Sequence, residues 1–194
     1  LRVRHVVREE LLADARVTGV DDADLIARVN EAMHEAAAGG AKVVVCTCST
    51  IGAIAERTPS GDAFRALRID RAMADKAVRT GPRVLIAAAL ESTLAPTKAL
   101  ILSAARDAGI AVQPTLLFVE DAWPQFEAGA HARYIETLAG AIRAAAIEAD
   151  VVVLAQASMA PVADTLADLG IDVLSSPVPG TAHAVTLALS LSPT

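Results

Sequence analysis

Short apolar runs alternate with segments of helical spacing along most of this chain. The apolar runs have the length of strands and predict them over 3–7, 43–48, 67–69, 84–90, 112–118, 151–156 and 172–175. Apolar positions recur at helical spacing over 21–38, 51–56, 71–79, 94–108, 130–148, 161–169 and 181–190. Continuous apolar strands that alternate with helices are typical of a parallel sheet covered on both faces. The pattern therefore predicts an α/β fold.

Two of the predicted strands are copies of one element. Val43-Val44-Val45 matches Val151-Val152-Val153 at an offset of 108 positions, and a run of alanines precedes each copy. The repeat extends further, because 3–7 corresponds roughly to 112–116 and 67–70 to 173–176. We therefore expect two pseudo-symmetric lobes, each a mostly parallel sheet covered by helices.

The breaker residues Thr80-Gly81-Pro82 mark the best boundary between the lobes. Lobe one is then 1–80, lobe two is 81–180, and the helix within 181–194 is free to pack back on lobe one. The strand over 84–90 has no counterpart in the first half, so we expect the first strand of lobe one to lie upstream of Leu1. The segment 118–126, with its single tryptophan, is predicted to be an irregular connection.

Composition narrows the possible partners. Of the 194 residues, 54% are hydrophobic, which allows a sizeable core, and no apolar run is long enough to span a membrane. The net charge of −6, with scattered arginines, argues against nucleic acid. Two cysteines do not make a disulfide framework, so a reducing, cytoplasmic setting is the simplest interpretation.

Candidate chemistry lies at the end of the first valine strand. Cys48 ends this predicted strand, and Ser49-Thr50 leads into a helix. Ligands of parallel sheets bind at the carboxyl ends of strands. Free N–H groups at the helix start, with the hydroxyls of Ser49 and Thr50, could hold a carboxylate, and the dipole would favour a Cys48 thiolate. Such a thiolate can remove a proton from the carbon next to the carboxylate, or attack it.

The same residues allow other interpretations. A cysteine after a valine run is often a small buried hydrophobe, which we prefer for Cys46 and leave open for Cys48. Zinc is disfavoured because Cys46 and Cys48 supply only two ligands and the histidines are scattered. Gly39-Gly40 precedes a strand rather than following one, so the phosphate turn of a dinucleotide site is missing. We expect neither a metal nor a cofactor.

Three segments together resemble the aspartate/glutamate/hydantoin racemase superfamily. Residues 44–52 resemble its first active-site segment, in which a strand ends in a catalytic cysteine followed by a small polar pair. Residues 152–158 resemble the second segment, and 87–93 resemble a strand that contributes a substrate-binding threonine. The resemblance implies a substrate cleft between two α/β lobes and cofactor-independent deprotonation next to a carboxylate. It also leaves a homodimer open.

The resemblance assigns roles residue by residue. Cys48 is implied to be a thiol acid or base, and the implied substrate contacts are Ser49, Thr50, Thr93, Ala157 and Ser158. Two-cysteine racemases use one thiol on each face of the substrate, but Gln156 stands where the second cysteine belongs. A carboxamide is neither acid nor base near neutral pH, although its NH2 can bind a carboxylate or enolate oxygen.

Three functions remain open from the sequence. The first is a racemase- or isomerase-like enzyme that acts on a small amino or organic acid with Cys48 as its thiolate. The second is a catalytically silent protein that binds small carboxylates. The third is a single-cysteine decarboxylase type, although such relatives usually keep the cysteine of the second lobe.

Overall fold

A computed structural model describes residues 2–191 of the chain. The chain divides into two compact units. One contains the residues up to Ile69 together with those from Gly180 onward, and the other is Asp70–Pro179. Each unit has a parallel sheet of its own and a separate apolar core.

Helices and strands follow one another through both units. The strands are β1 (Val43–Cys46), β2 (Arg65–Arg68), β3 (Arg83–Ala88), β4 (Gln113–Phe118), β5 (Val151–Leu154) and β6 (Asp172–Leu174). The helices are α1 (Glu9–Thr18), α2 (Ala23–Ala37), α3 (Gly52–Glu56), α4 (Arg71–Thr80), α5 (Leu94–Ala108), α6 (Trp123–Glu127), α7 (His131–Ala145), α8 (Val162–Thr165) and α9 (Pro177–Ser190).

In the first unit, β1 and β2 pair in parallel, with Cys46 opposite Arg68. The core beside them is built by apolar side chains of α1, α2 and α3, including Leu25 and Ile54. The Asp22 side chain accepts a hydrogen bond from Leu25 N (2.9 Å), so α2 begins with a side-chain cap.

In the second unit, the strands are parallel and lie in the order β4-β3-β5-β6. One face of β3 and β5 packs on α4 and α5, and the other packs on α7 and α8. Burial on both faces explains why Val151-Val152-Val153 is continuously apolar. The predicted α/β class, with parallel sheets covered by helices, is confirmed.

Most predicted elements are present, with some corrected bounds. The helix predicted over 94–108 has these same ends in α5. The strands predicted to reach 48, 90 and 156 end earlier, at Cys46, Ala88 and Leu154, because the chain turns there towards the next helix. The helix predicted over 161–169 is α8 followed by a separate 3₁₀ turn, Ala167–Leu169.

Three predictions about the chain were wrong or incomplete. The strand predicted over 3–7 is absent: that segment pairs with no strand, and Val3 and Val7 are 79% and 71% exposed. Helix α1 was not predicted, because only Leu11 and Ala15 of it are buried and the apolar pattern is short. The connection predicted to be irregular over 118–126 contains part of α6.

The loop Thr80-Gly81-Pro82, the predicted lobe boundary, joins α4 to β3 within the second unit. A Cβ atom at Gly81 would lie 2.4 Å from the Cβ of Asp150, so the loop closely approaches the residue before β5. Asp150 also accepts hydrogen bonds from the backbone N–H of Arg83 (2.8 Å) and from its guanidinium (2.6 Å). This loop is therefore anchored to the four-stranded sheet.

Candidate functional site

The predicted site residues form two groups, one in each compact unit. Cys48, Ser49 and Thr50 follow β1 in the first unit. The second unit holds the others, which follow β3 and β5: Thr93, Gln156, Ala157 and Ser158. In both units the groups lie just past the carboxyl ends of parallel strands, where ligands of such sheets bind.

The Cys48 turn, residues 48–52, leads from β1 into α3. Cys48 is half-buried and borders the apolar core of the first unit, as Cys46 does. The Cys46 thiol donates to the carbonyl oxygen of Cys48, with a sulfur–oxygen distance of 3.6 Å. Thr50 is buried. The Cys48 side chain is therefore neither wholly enclosed nor fully exposed.

Helix α3 is short, with five residues, and it begins without a side-chain cap. The N–H groups of Ile54 and Ala55 already bond to the carbonyl oxygen of Ile51 (both 3.1 Å). A helix of this length carries a small dipole, so the helix-start argument for the Cys48 turn is weaker than the sequence suggested. Binding of a carboxylate by Ser49 and Thr50 stays a prediction.

A buried arginine supports the Cys48 turn. Arg68 ends β2 and is only 4% exposed. Its Nη2 donates to the carbonyl oxygen of Ser49 (3.3 Å), and a Cβ at Gly52 would lie 3.0 Å from its Nε. Sequence reasoning missed Arg68, although its place beside Cys46 in the sheet register is a signal that strand pairing could have revealed.

In the second unit, Gln156 bridges the ends of β5 and β3. Its side chain is 8% exposed, and its Oε1 accepts hydrogen bonds from Ala89 N (2.7 Å) and Leu90 N (3.1 Å). The hydroxyl of Thr93 donates to the carbonyl oxygen of Leu90 (2.8 Å). Two of the predicted site residues, Gln156 and Thr93, are thus joined through the same short loop.

The other end of the Gln156 carboxamide has no partner. Its Nε2 is buried and makes no hydrogen bond within the part of the chain that the structure describes. Thr97 Oγ1, in the first turn of α5, is the other buried side-chain atom of this kind among those residues. Leaving a buried donor unpaired costs about 1–3 kcal/mol, so each of these groups needs an explanation.

Ser158 is half-buried and lies beside a buried tyrosine that sequence reasoning missed. Its Oγ is 2.9 Å from the hydroxyl of Tyr134 on α7. Burial raises the pKa of Tyr134, while the hydrogen bond to Ser158 acts in the opposite direction. The phenol is therefore neutral near neutral pH and is not an anionic base. Ala157 is exposed.

Residues 2–191 contain neither a metal-binding cluster nor a membrane-spanning helix. No group of three or more His, Cys, Asp or Glu side chains in that range is arranged to hold a metal ion. In the same range, every helix is too short or too polar to cross a membrane.

Comparison with known proteins gives structural likenesses only. No protein-family model matches the chain, and no curated protein matches its sequence. A glycine-to-cysteine mutant of arylmalonate decarboxylase in a sulfate-associated form has a TM-score of 0.60 and 18% identity, covering 90% of this chain and 81% of that one.

Two racemases have similar structures. For aspartate racemase of Picrophilus torridus, the TM-score is 0.58 at 14% identity, with 84% of this chain and 69% of that one covered. For allantoin racemase of Klebsiella pneumoniae, the TM-score is 0.56 at 18% identity, with 87% of this chain and 68% of that one covered. The chain therefore shares the fold of arylmalonate decarboxylase and of these racemases.

Proposed function

We propose that this chain is a cofactor-independent racemase- or isomerase-like enzyme. Its substrate is a small amino or organic acid, and the Cys48 thiolate removes the proton from the carbon next to the carboxylate. The observation that carries the proposal is the half-buried thiol of Cys48, two residues past a parallel strand and followed by Ser49 and Thr50, on a fold shared with racemases.

The thiol alone accounts for removal of the proton and for its return to the same face of the carbon. The thiolate sulfur takes the α-proton, and the electron pair of the broken C–H bond spreads into the carboxylate as an enediolate. Return of a proton to the carbon regenerates the acid and the thiolate. Gln156 cannot donate a proton as a second thiol would, so a water molecule or another side chain supplies the proton when the opposite face is used. The Cys48 thiol then gives its own proton to the solvent, and the donor is protonated again from the solvent, which restores the starting state.

Exchange of the α-hydrogen with deuterium is the most direct test, because it detects proton removal even without inversion. The panel is taken from the names of the structural neighbours: D- and L-aspartate, D- and L-glutamate, allantoin and phenylmalonate. Incubation in D2O is followed by proton NMR. We expect exchange of at least one compound, lowered about 100-fold or more by Cys48→Ala.

Cys46 provides the matched control, because it lies two residues away and is the only other cysteine of the sequence. Cys46→Ala should keep the exchange activity. It also leaves Cys48 as the single thiol, so its alkylation by iodoacetamide can be followed directly and should slow when a substrate is bound. Exchange that survives Cys48→Ala unchanged would refute the thiolate mechanism.

Two alternatives have specific support. A catalytically silent small-carboxylate-binding protein is favoured by Gln156, whose carboxamide is engaged with backbone N–H groups. It predicts protection of Cys48 from alkylation without any deuterium exchange. A single-cysteine decarboxylase type is favoured by the likeness to arylmalonate decarboxylase. It predicts release of carbon dioxide from phenylmalonate, lost on Cys48→Ala.

A further inference from the structure

The Gln156 carboxamide has only one workable orientation. Its oxygen accepts from two backbone N–H groups, those of Ala89 (2.7 Å) and Leu90 (3.1 Å). A flipped amide would point its own N–H groups at these two donors, and such donor–donor contacts are repulsive. The backbone of the loop after β3 therefore fixes which end of the amide is oxygen and where its NH2 group lies.

The fixed NH2 group lacks an acceptor. Gln156 is more than nine-tenths buried, and its Nε2 has no hydrogen-bond partner within residues 2–191. Leu154, Ala155 and Ala157, its neighbours along the chain, have apolar side chains, and the hydroxyl of Ser158 is already paired with that of Tyr134. An internal water needs two to four polar partners, and these neighbours offer no side-chain acceptor. An oxygen atom of a ligand can accept the Gln156 N–H without needing further polar partners of its own at this place.

A carboxylate oxygen is the strongest acceptor for this group. Hydrogen bonds to an ionised acceptor are shorter and stronger than those to a neutral one. The donor is also pre-organised, because the bonds to Ala89 and Leu90 already hold the side chain in place. A ligand without an acceptor at this position would leave the donor buried and unpaired, so such a ligand is rejected.

We propose that Gln156 Nε2 donates to a carboxylate oxygen of the bound small acid, and so selects ligands that carry an acceptor there. The assignment of the ligand class rests on the proposed function; the need for an acceptor rests on the geometry of the second unit alone. Gln156 is then a specificity-determining residue in place of an acid or base.

Replacement of Gln156 by glutamate tests the role of the NH2 group without removing the oxygen. Gln156→Glu keeps an oxygen for Ala89 and Leu90 but puts a second oxygen where the NH2 group was. The probes are the sodium salts of malonate and of D- and L-aspartate, with affinity measured by calorimetry. We expect Gln156→Glu to weaken binding about 10- to 100-fold. Its melting temperature should also fall, because the new carboxylate loses its hydration at a buried position.

Two further variants complete the set. Gln156→Met removes both ends, so it should weaken binding to a similar extent. It should also lower the melting temperature, because the N–H groups of Ala89 and Leu90 lose their acceptor. Gln113→Glu makes the same charge change at an exposed residue of β4 and should leave the affinity unchanged. Equal weakening by Gln113→Glu and Gln156→Glu would show a general charge effect and overturn the proposal.

A measurement on the unchanged chain guards against misfolded variants. The Gln156 side-chain amide signal, assigned in a nitrogen-15 NMR spectrum by its loss in Gln156→Glu, should move on titration with a probe that binds. Unchanged affinity in Gln156→Glu, an unmoved signal while a probe binds, or no binding of any probe each overturns the proposal.

The two proposals fail in different ways. Deuterium exchange that needs Cys48 but is the same in Gln156→Glu refutes the role of Gln156 and leaves the thiolate mechanism. Binding that depends on Gln156 without any exchange refutes the thiolate mechanism and leaves the role of Gln156.

Discussion

Replacement of Gly180 by alanine tests how α9 is held against the first unit. A Cβ atom at this position would lie 1.9 Å from the carbonyl oxygen of Ile69 and 2.8 Å from its Cδ1. Cβ contacts below 3.0 Å are essentially never seen, so the helix or the end of β2 must move by about 1 Å or more. The nearest obstacle is a backbone atom, which cannot swing aside as a side chain can.

The magnitude follows from two opposing effects. Overpacking of this kind costs about 1–3 kcal/mol or more, and alanine regains about 1 kcal/mol over glycine within a helix. We expect Gly180→Ala to lower the free energy of unfolding by about 2 kcal/mol. For a chain of this length, the melting temperature should then fall by about 4–8 °C. Thermal and urea unfolding followed by circular dichroism measure both quantities.

Gly140 is the matched control, because it also lies within a helix but its Cβ would meet nothing within 4 Å. Gly140→Ala should raise the free energy of unfolding by about 1 kcal/mol. If Gly180→Ala is as stable as the unchanged chain, or gains stability as Gly140→Ala does, the close approach of α9 to Ile69 is wrong.

Three further changes test other parts of the structure. Thr97→Val removes a buried hydroxyl without a hydrogen-bond partner and keeps its shape, so it should raise the free energy of unfolding by up to about 1 kcal/mol; a loss in urea unfolding would show that the hydroxyl is bonded. Tyr134→Phe removes the hydrogen bond to Ser158 and should lower the free energy of unfolding by about 1 kcal/mol in the same assay. If the two hydroxyls interact only with each other, adding Ser158→Ala to Tyr134→Phe should lower it little further. Asp150→Asn should lower the melting temperature at neutral pH, because Arg83 lowers the pKa of Asp150 and the ionised carboxylate stabilises the folded chain. The difference in melting temperature between Asp150→Asn and the unchanged chain should shrink as the pH falls below 3.8, the ordinary pKa of an aspartate, and Asp150 becomes protonated. A difference that does not depend on pH would contradict the stabilising role of the Asp150 carboxylate.

Sequence patterns predicted the parts of the fold that depend on local periodicity and burial. The helix over 94–108 has a long apolar stripe and a glycine at its end in a left-handed conformation, and both ends agree with α5. The segment 3–7 has the apolar pattern of a strand, but a strand also needs a neighbour to pair with, which a single sequence does not reveal.

The sequence predicted which residues of the candidate site follow which strand, but not which atoms these residues contact. Cys48 and Gln156 follow their strands as the valine repeat indicated. The position of Arg68 beside the Cys48 turn depends on the register between β1 and β2. The hydrogen bonds that Gln156 accepts from Ala89 and Leu90 depend on the register between β3 and β5. Pairing between distant strands fixes these contacts, so neither motif nor composition could supply them.

The double acceptance by Gln156 limits which side chains can replace it at this position. A cysteine at 156 would carry sulfur, a poor acceptor, on a shorter side chain, and the amides of Ala89 and Leu90 would lose the oxygen that now caps them. The substitution Gln156→Cys by itself should therefore destabilise the second unit. A second substitution in that unit that brings a new oxygen to the two amides should restore the lost stability.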